Sequence, residues 1–286
     1  MFRPNQRRMK SILVPTDFSE HSLHAYRFAL GIAAQSKGTV RLLTVIEMPV
    51  IHAPLNMPVV SFEDAFFKEI REKQDEAFKK LLLETSPGDV KVTTDVAFGA
   101  IRNTIIDYVS GPNIDLVVMG SHGAGGIREV FVGSNAEKIV RKSPVPVIVV
   151  KERVKAPIRS IVFPNTLETA KQEELVTKVK ALQGFFKAHL HIVWINTASN
   201  FTNDATTRIQ LEMFAKRFML KDYTLHIYND TFVEEGIMRF SQYIGGNLIA
   251  MGTHGRRGLA HMALGSSAED IVNHMQCPIW TFVARK

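Results

Sequence analysis

A chain of 286 residues with 45% hydrophobic and 22% charged residues has the composition of a globular protein and room for two ordinary domains. Its single cysteine, Cys277, excludes a disulfide framework, and no apolar run approaches the ~20 residues that span a bilayer. The net charge of +7 invites a nucleic-acid reading, but Arg3, Arg7, Arg8 and Lys10 supply the excess of the first half with no basic helix or aromatic-interleaved strand beside them, so a solvated arm is expected and neither nucleic acid nor membrane is a favoured partner.

In chain order, Ser11–Pro15 reads as a buried strand left through the turn Thr16-Asp17-Phe18-Ser19. The Arg7-Arg8 pair runs straight into that strand, with no long apolar region or cleavage site, so a cytoplasmic location is expected. A helix over about Ser19–Ser36 carries Leu23, Tyr26, Ala29, Leu30 and Ala33 on one stripe and stops at Lys37-Gly38. Strand Val40–Ile46 is followed by an irregular stretch, Glu47–Ser61, with prolines at 49, 54 and 58, long enough to suggest a functional loop. Helix Phe62–Thr85, strand Val90–Ala97, helix Ala100–Ser110 and strand Asp115–Met119 come next. Lys151–Pro157 reads as a linker, which divides the chain into units 1–153 and 157–286. The second unit repeats the order: strand Ser160–Phe163, helix Glu168–Ala188, strand Leu190–Asn196 and a shorter loop, Thr197–Asp204. Helix Ala205–Met219, strand Thr224–Tyr228, helix Glu234–Gly245 and strand Asn247–Met251 complete it. Alternating helices and continuously apolar strands predict an α/β fold with doubly wound parallel sheets covered on both faces.

The stretch Leu116–Val150 occurs twice. Gly120, Gly123 and Gly133-Ser134 are matched at the same spacing by Gly252, Gly255 and Gly265-Ser266, 132 residues later. Each copy runs strand, glycine loop, helix, strand, and the helices open on Ser134-x-x-Glu137 and Ser266-x-x-Glu269, a capping-box spacing. Glycines admit polyphosphate close to backbone N–H groups, and the helix N-terminus adds a positive dipole end. In such sheets ligands sit at the carboxyl ends of strands where the strand order reverses, which singles out the glycine loop and the turn at Asp17. A carboxylate opposite an anion-binding loop suits an adenine nucleotide.

From Lys10 to Ala284 the chain resembles a tandem universal stress protein, whose ATP-binding members carry G-x2-G-x9-G-[S/T]. The resemblance implies two Rossmann-like domains, each a five-stranded parallel sheet of order 3-2-1-4-5 flanked by helices. It implies an ATP, ADP or AMP site, with Mg²⁺ as an optional companion, in the first unit: Asp17 and the Val45 backbone toward adenine, Gly120, Gly123, Gly133, Ser134 and Asn135 toward ribose and phosphates. Pro15, Thr16, Met119 and His122 flank these positions and are counted with the site. Aligning FPNTLE (163–168) on VPTDFS (14–19) puts Thr166 where Asp17 stands, so the second unit lacks the adenine-contacting carboxylate while keeping its glycines. Its candidate site is Gly252, His254, Gly255, Arg256, Gly265, Ser266 and Ser267, with Arg256-Arg257 able to clamp an anion or simply to face solvent.

Other residues read plainly. His122 and His254 have no partner placed to make them catalytic, the histidines of the second unit show no metal-ligand spacing, and Cys277 reads as a packed small hydrophobe. No catalytic residue and no metal site are assigned. The expected function is a cytoplasmic stress-response protein that binds adenine nucleotide in the first unit as a sensor or switch, with little or no turnover. Slow ATP hydrolysis or adenylation is the enzymatic alternative, though no SGGxDS, HIGH or KMSKS signature is present, and an interaction protein with structural nucleotide is the other. The final strands of the units, Val145–Val150 and Pro278–Val283, are hazardous edges if left open. The resemblance implies that they pair as an intrachain pseudo-dimer, leaving other faces for a homodimer or an unknown protein partner. Glu47–Ser61 is expected to order over bound nucleotide.

Overall fold

Inner strands that are apolar on both faces dictate a sheet with a helix layer on each side. The computed structural model describes residues 9–47, 60–111, 113–121, 134–154, 157–167, 172–253 and 277–284, leaving aside the side chains of 60–65 and of Ser134. Its first half runs β1 (Ser11–Pro15), α1 (Glu20–Ser36), β2 (Thr39–Ile46), α2 (Val60–Thr85), β3 (Lys91–Phe98), α3 (Ile101–Ser110), β4 (Leu116–Gly120), α4 (Ser134–Lys142) and β5 (Val147–Val150). The second runs β6 (Ser160–Pro164), α5 (Glu173–Phe186), β7 (His189–Asn196), α6 (Asp204–Arg217), β8 (Tyr223–Asn229), α7 (Val233–Tyr243), β9 (Leu248–Thr253) and β10 (Ile279–Val283).

These strands form one ten-stranded sheet in the order β3-β2-β1-β4-β5-β10-β9-β6-β7-β8. Each half is the expected 3-2-1-4-5 sheet, with parallel pairing throughout. The halves join edge to edge, where β10 runs antiparallel to β5 with Ile279 opposite Val149 and Thr281 opposite Val147. Strand alternation sends Ile12 and Val14 to one core and Leu13 to the other. One core packs under α1, α2, α5 and α6 through Tyr26, Phe78, Val179 and Phe214, and the other under α3, α4 and α7 through Ile105, Ile139 and Phe240.

The internal repeat extends to the way the helices stop. Lys37 ends α1 at φ 52° and Lys187 ends α5 at φ 51°, each sending its N–H back to the preceding turn. After α1 the chain enters β2 through Gly38, where a Cβ would lie 2.4 Å from the Lys10 carbonyl oxygen. Some boundaries differ from the sequence reading. The α5 helix starts at Glu173 and not Glu168, with residues 168–171 outside the described ones. The α7 helix ends at Tyr243 and not Gly245, because Gly245 turns left-handed at φ 64° and Gly246 returns its N–H to Ser241 at 2.8 Å. Helix α2 opens at Val60, two residues early, and β5 begins at Val147 because Ser143 and Val145 close a turn through the serine hydroxyl.

Candidate functional site

Where the strand order reverses, between β1 and β4, their carboxyl ends part and leave a cleft of about 140 Å³. Pro15, Thr16 and Asp17 line it from the end of β1, Leu43 and Val45 from β2, and Met119, Gly120 and Ser121 from the end of β4. Ile101 and Ile105 of α3 supply an apolar wall, and Asn135 and Ala136 bring the first turn of α4 to its rim. That volume takes a purine base and not a whole nucleotide, since pockets that enclose drug-sized ligands run ~300–1,000 Å³.

Local hydrogen bonds hold the turn after β1 in place. The Thr16 N–H donates to the Leu43 carbonyl at 2.9 Å, and the Thr44 hydroxyl donates to the Thr16 carbonyl at 3.1 Å. Phe18 stands at φ 61°, a strained position for a non-glycine residue. Its N–H donates to Thr16 Oγ1 at 3.1 Å, and its ring packs edge-on against Phe78 of α2, centroids 5.1 Å apart. The exposed Asp17 accepts from the Ser19 N–H at 3.1 Å and from the Ser19 hydroxyl at 2.6 Å, both on Oδ1. Ser19 in turn caps α1 by accepting from the Ser22 N–H, so the aspartate is fixed to the helix start.

Gly120 has a packing reason beyond ligand approach. A Cβ there would lie 2.8 Å from the His21 carbonyl carbon, so α1 sits on β4 only because the position is glycine. The nine-residue α4 begins at this rim, where a helix start leaves N–H groups without intrahelical partners, and Glu137 lies in that first turn, 3.6 Å from Arg141.

Of the residues singled out from the sequence, Pro15, Thr16, Asp17, Val45, Met119, Gly120 and Asn135 come together around this cleft. His122, Gly123 and Gly133 lie outside the described residues, as does the Ser134 side chain, and so does most of the Glu47–Ser61 loop. Sequence reasoning did not single out Ser22, Leu43, Ile101, Ile105, Ser121 and Ala136, which also line the cleft. Ser22 had a signal, standing three residues after the Ser19 cap. Ile101 and Ile105 sat on a helical stripe that reads as ordinary core.

Comparison with known proteins agrees with this architecture. The pattern of the universal stress protein family matches residues 9–151 and 219–282. The chain belongs to the universal stress protein family. A universal stress protein of Methanocaldococcus jannaschii is 28% identical over 152 residues, 53% of this chain and 88% of that protein. One of Synechocystis is 20% identical over 294 residues, 96% of this chain and all of that one. In fold, the chain superimposes on the crystal structure of a universal stress protein from Archaeoglobus fulgidus with a TM-score of 0.74 at 20% identity, covering 97% of this chain and 100% of that one.

The universal stress protein pattern skips residues 152–218, and most of the residues that differ at the second half's counterpart of the cleft lie there. Backbone geometry there is preserved: Leu167 stands at φ 62° as Phe18 does at 61°, and the Asn165 N–H donates to the Val193 carbonyl as Thr16 does to Leu43. Side chains are not preserved. Asn165 and Gln172 exchange amide hydrogen bonds, the closer at 2.9 Å, and the Gln172 amide also donates to Thr166 Oγ1 at 3.3 Å. At the ends of β7 and β8, Asn196 binds Asn229 and the Thr202 N–H, and Asn200 binds Thr197 and the Ile195 carbonyl. The shorter loop is thus tied down over its own strands. Gly252 lies at the end of β9, while His254, Gly255, Arg256, Gly265, Ser266 and Ser267 fall outside the described residues.

Proposed function

We propose that the first half, bounded near residue 153, binds an adenine nucleotide, ATP or ADP, and acts as a nucleotide-responsive switch with little or no turnover. The observation that carries this reading is the meeting of Asp17, Val45 of β2, Gly120 and the start of α4 around one base-sized cleft. Ile101, Ile105 and Met119 give a purine ring apolar walls, the Asp17 carboxylate can accept from an exocyclic amine or a hydroxyl, and the α4 N-terminus favours phosphate. Phosphoryl transfer also needs a held metal and a group that positions the attacking water. The one carboxylate in the described lining, Asp17, is bound to the helix cap at the β1 side. Turnover far below the ~1–10³ s⁻¹ of ordinary enzymes is therefore expected.

In this reading the second half binds adenine nucleotide much more weakly, since Thr166 brings no charge and is engaged by Gln172. Titration calorimetry of the full chain with ATP tests both statements. One site per chain is expected, and Asp17→Ala should weaken it by about tenfold or more, as loss of a hydrogen bond to a charged group costs ~1.5–3 kcal/mol. Unchanged affinity in that variant, or two equal sites, would overturn the assignment.

A further inference from the structure

A larger cleft, about 550 Å³, lies apart from the nucleotide cleft, where the two halves of the chain meet. Its wall is one stripe of α1, running His24, Phe28, Gly31 and Gln35, with Arg27 beside it. The opposite wall comes from the connection between the halves, Arg153, Val154, Pro157 and Ile158, and Phe186 at the end of α5 closes it. Gln35 donates to the Phe185 carbonyl at 2.5 Å and holds the two sides together. The volume falls in the ~300–1,000 Å³ range of small-molecule sites, which favour domain junctions.

Two independent features point to a ligand. The first is charge. Arg27 and Arg153 both line the cleft, and among the described residues no carboxylate lines it and neither guanidinium has an ion pair or hydrogen bond. Between them lie apolar groups, with Ile32 and Ile158 almost fully buried at the floor. The second is Gly31. A glycine inside a helix is disfavoured relative to alanine, and it usually admits a close neighbour. Here a Cβ would meet nothing within 4 Å, so no contact within the chain requires glycine, and its effect is to widen the cleft.

We infer that this junction cleft binds a small organic anion with an apolar body, its carboxylate, sulfonate or phosphate head between Arg27 and Arg153 and its body against Phe28, Ile32, Ile158 and Phe186. Guanidinium forks suit such heads in paired hydrogen bonds, and the apolar floor rewards a body that a free inorganic ion lacks. Since α1 lines this cleft from His24 to Gln35 and the proposed nucleotide cleft with Ser22, an occupant would rest on a helix shared by both.

The test uses the full chain and the fluorescent anion 8-anilinonaphthalene-1-sulfonate. Saturable binding is expected, displaced by octanoate at a concentration at least about tenfold lower than by 1-octanol. ATP should not displace the probe, which separates this site from the proposed nucleotide site. Gly31→Leu fills the cleft from a position with open space, so it should fold normally by circular dichroism and abolish the saturable phase. Arg27→Glu combined with Arg153→Glu should weaken binding about tenfold or more, and rising salt should weaken the wild type. Wild-type binding by folded Gly31→Leu, equal displacement by 1-octanol, or displacement by ATP would each overturn the inference.

Discussion

His191 and His226 face each other across β7 and β8, Nδ1 to Nε2 at 3.1 Å, so one proton at most is shared comfortably between them. Phe240 of α7 lies against His226, and His189, held by Asp222 and Thr224, stands beside His191 on the same strand. Burial first, then the neighbouring His189 and His226 charges, pushes His191 down from 6.5 to about 4, and burial pushes His226 down as well. Between pH 6.5 and about 4 the unfolded chain therefore binds more protons than the folded one, and stability is lost as pH falls through that window. Urea denaturation at pH 7 and pH 5 should show this loss, and His191→Gln should make it smaller; an equal loss in the variant would refute the assignment. This pair was illegible in the sequence, because its partners are 35 residues apart and only the β7–β8 register brings them together. Cys277 was legible. Its position before a proline-led strand implied packing, and burial pushes its thiol up to about 11. Iodoacetamide at pH 8 is expected to label it only in denaturant.

At the scale of elements, the motif glycines of the two halves have different neighbours. Gly120→Ala would drive a Cβ into the His21 backbone and lift α1 from β4, whereas Gly252→Ala meets only the tip of the Leu175 side chain, 2.8 Å away. Overpacking against backbone costs ~1–3 kcal/mol, so Gly120→Ala should lower the urea midpoint well below that of Gly252→Ala. Equal midpoints would show that α1 does not depend on that contact. Most elements were readable, since helical stripes and continuous apolar runs announce themselves. The start of α5 was not: the residue just before it, Gln172, is engaged with Asn165 and Thr166, a contact that no helical period records. Likewise the glycine spacing announced a strand–loop–helix unit, but not that Gly120 is also where a helix crosses its strand.

For the whole molecule, the seam between β5 and β10 decides cooperativity. Val147, Ile148 and Val149 are buried there against Ile279, Trp280 and Thr281, and the Thr281 hydroxyl donates to the Val147 carbonyl at 3.4 Å. Both cores run across the seam, so neither half can open without exposing the other's edge. A single unfolding transition is expected, with amides of both strands exchanging hydrogen only through global unfolding; fast exchange in either strand would contradict it. The two β-branched final strands announced hazardous open edges and the family resemblance implied that they pair, although the register belongs to the packing alone.

That antiparallel seam also sets which way each half faces. Within a half all strands run together, and at β5 and β10 the direction reverses. The carboxyl end of β1, with Asp17, therefore opens toward one end of the sheet, and the carboxyl end of β6, with Thr166, toward the other. The two turns stand at opposite ends of the sheet. No single face of the chain therefore presents both strand ends, and a surface that covers Asp17 leaves Thr166 uncovered.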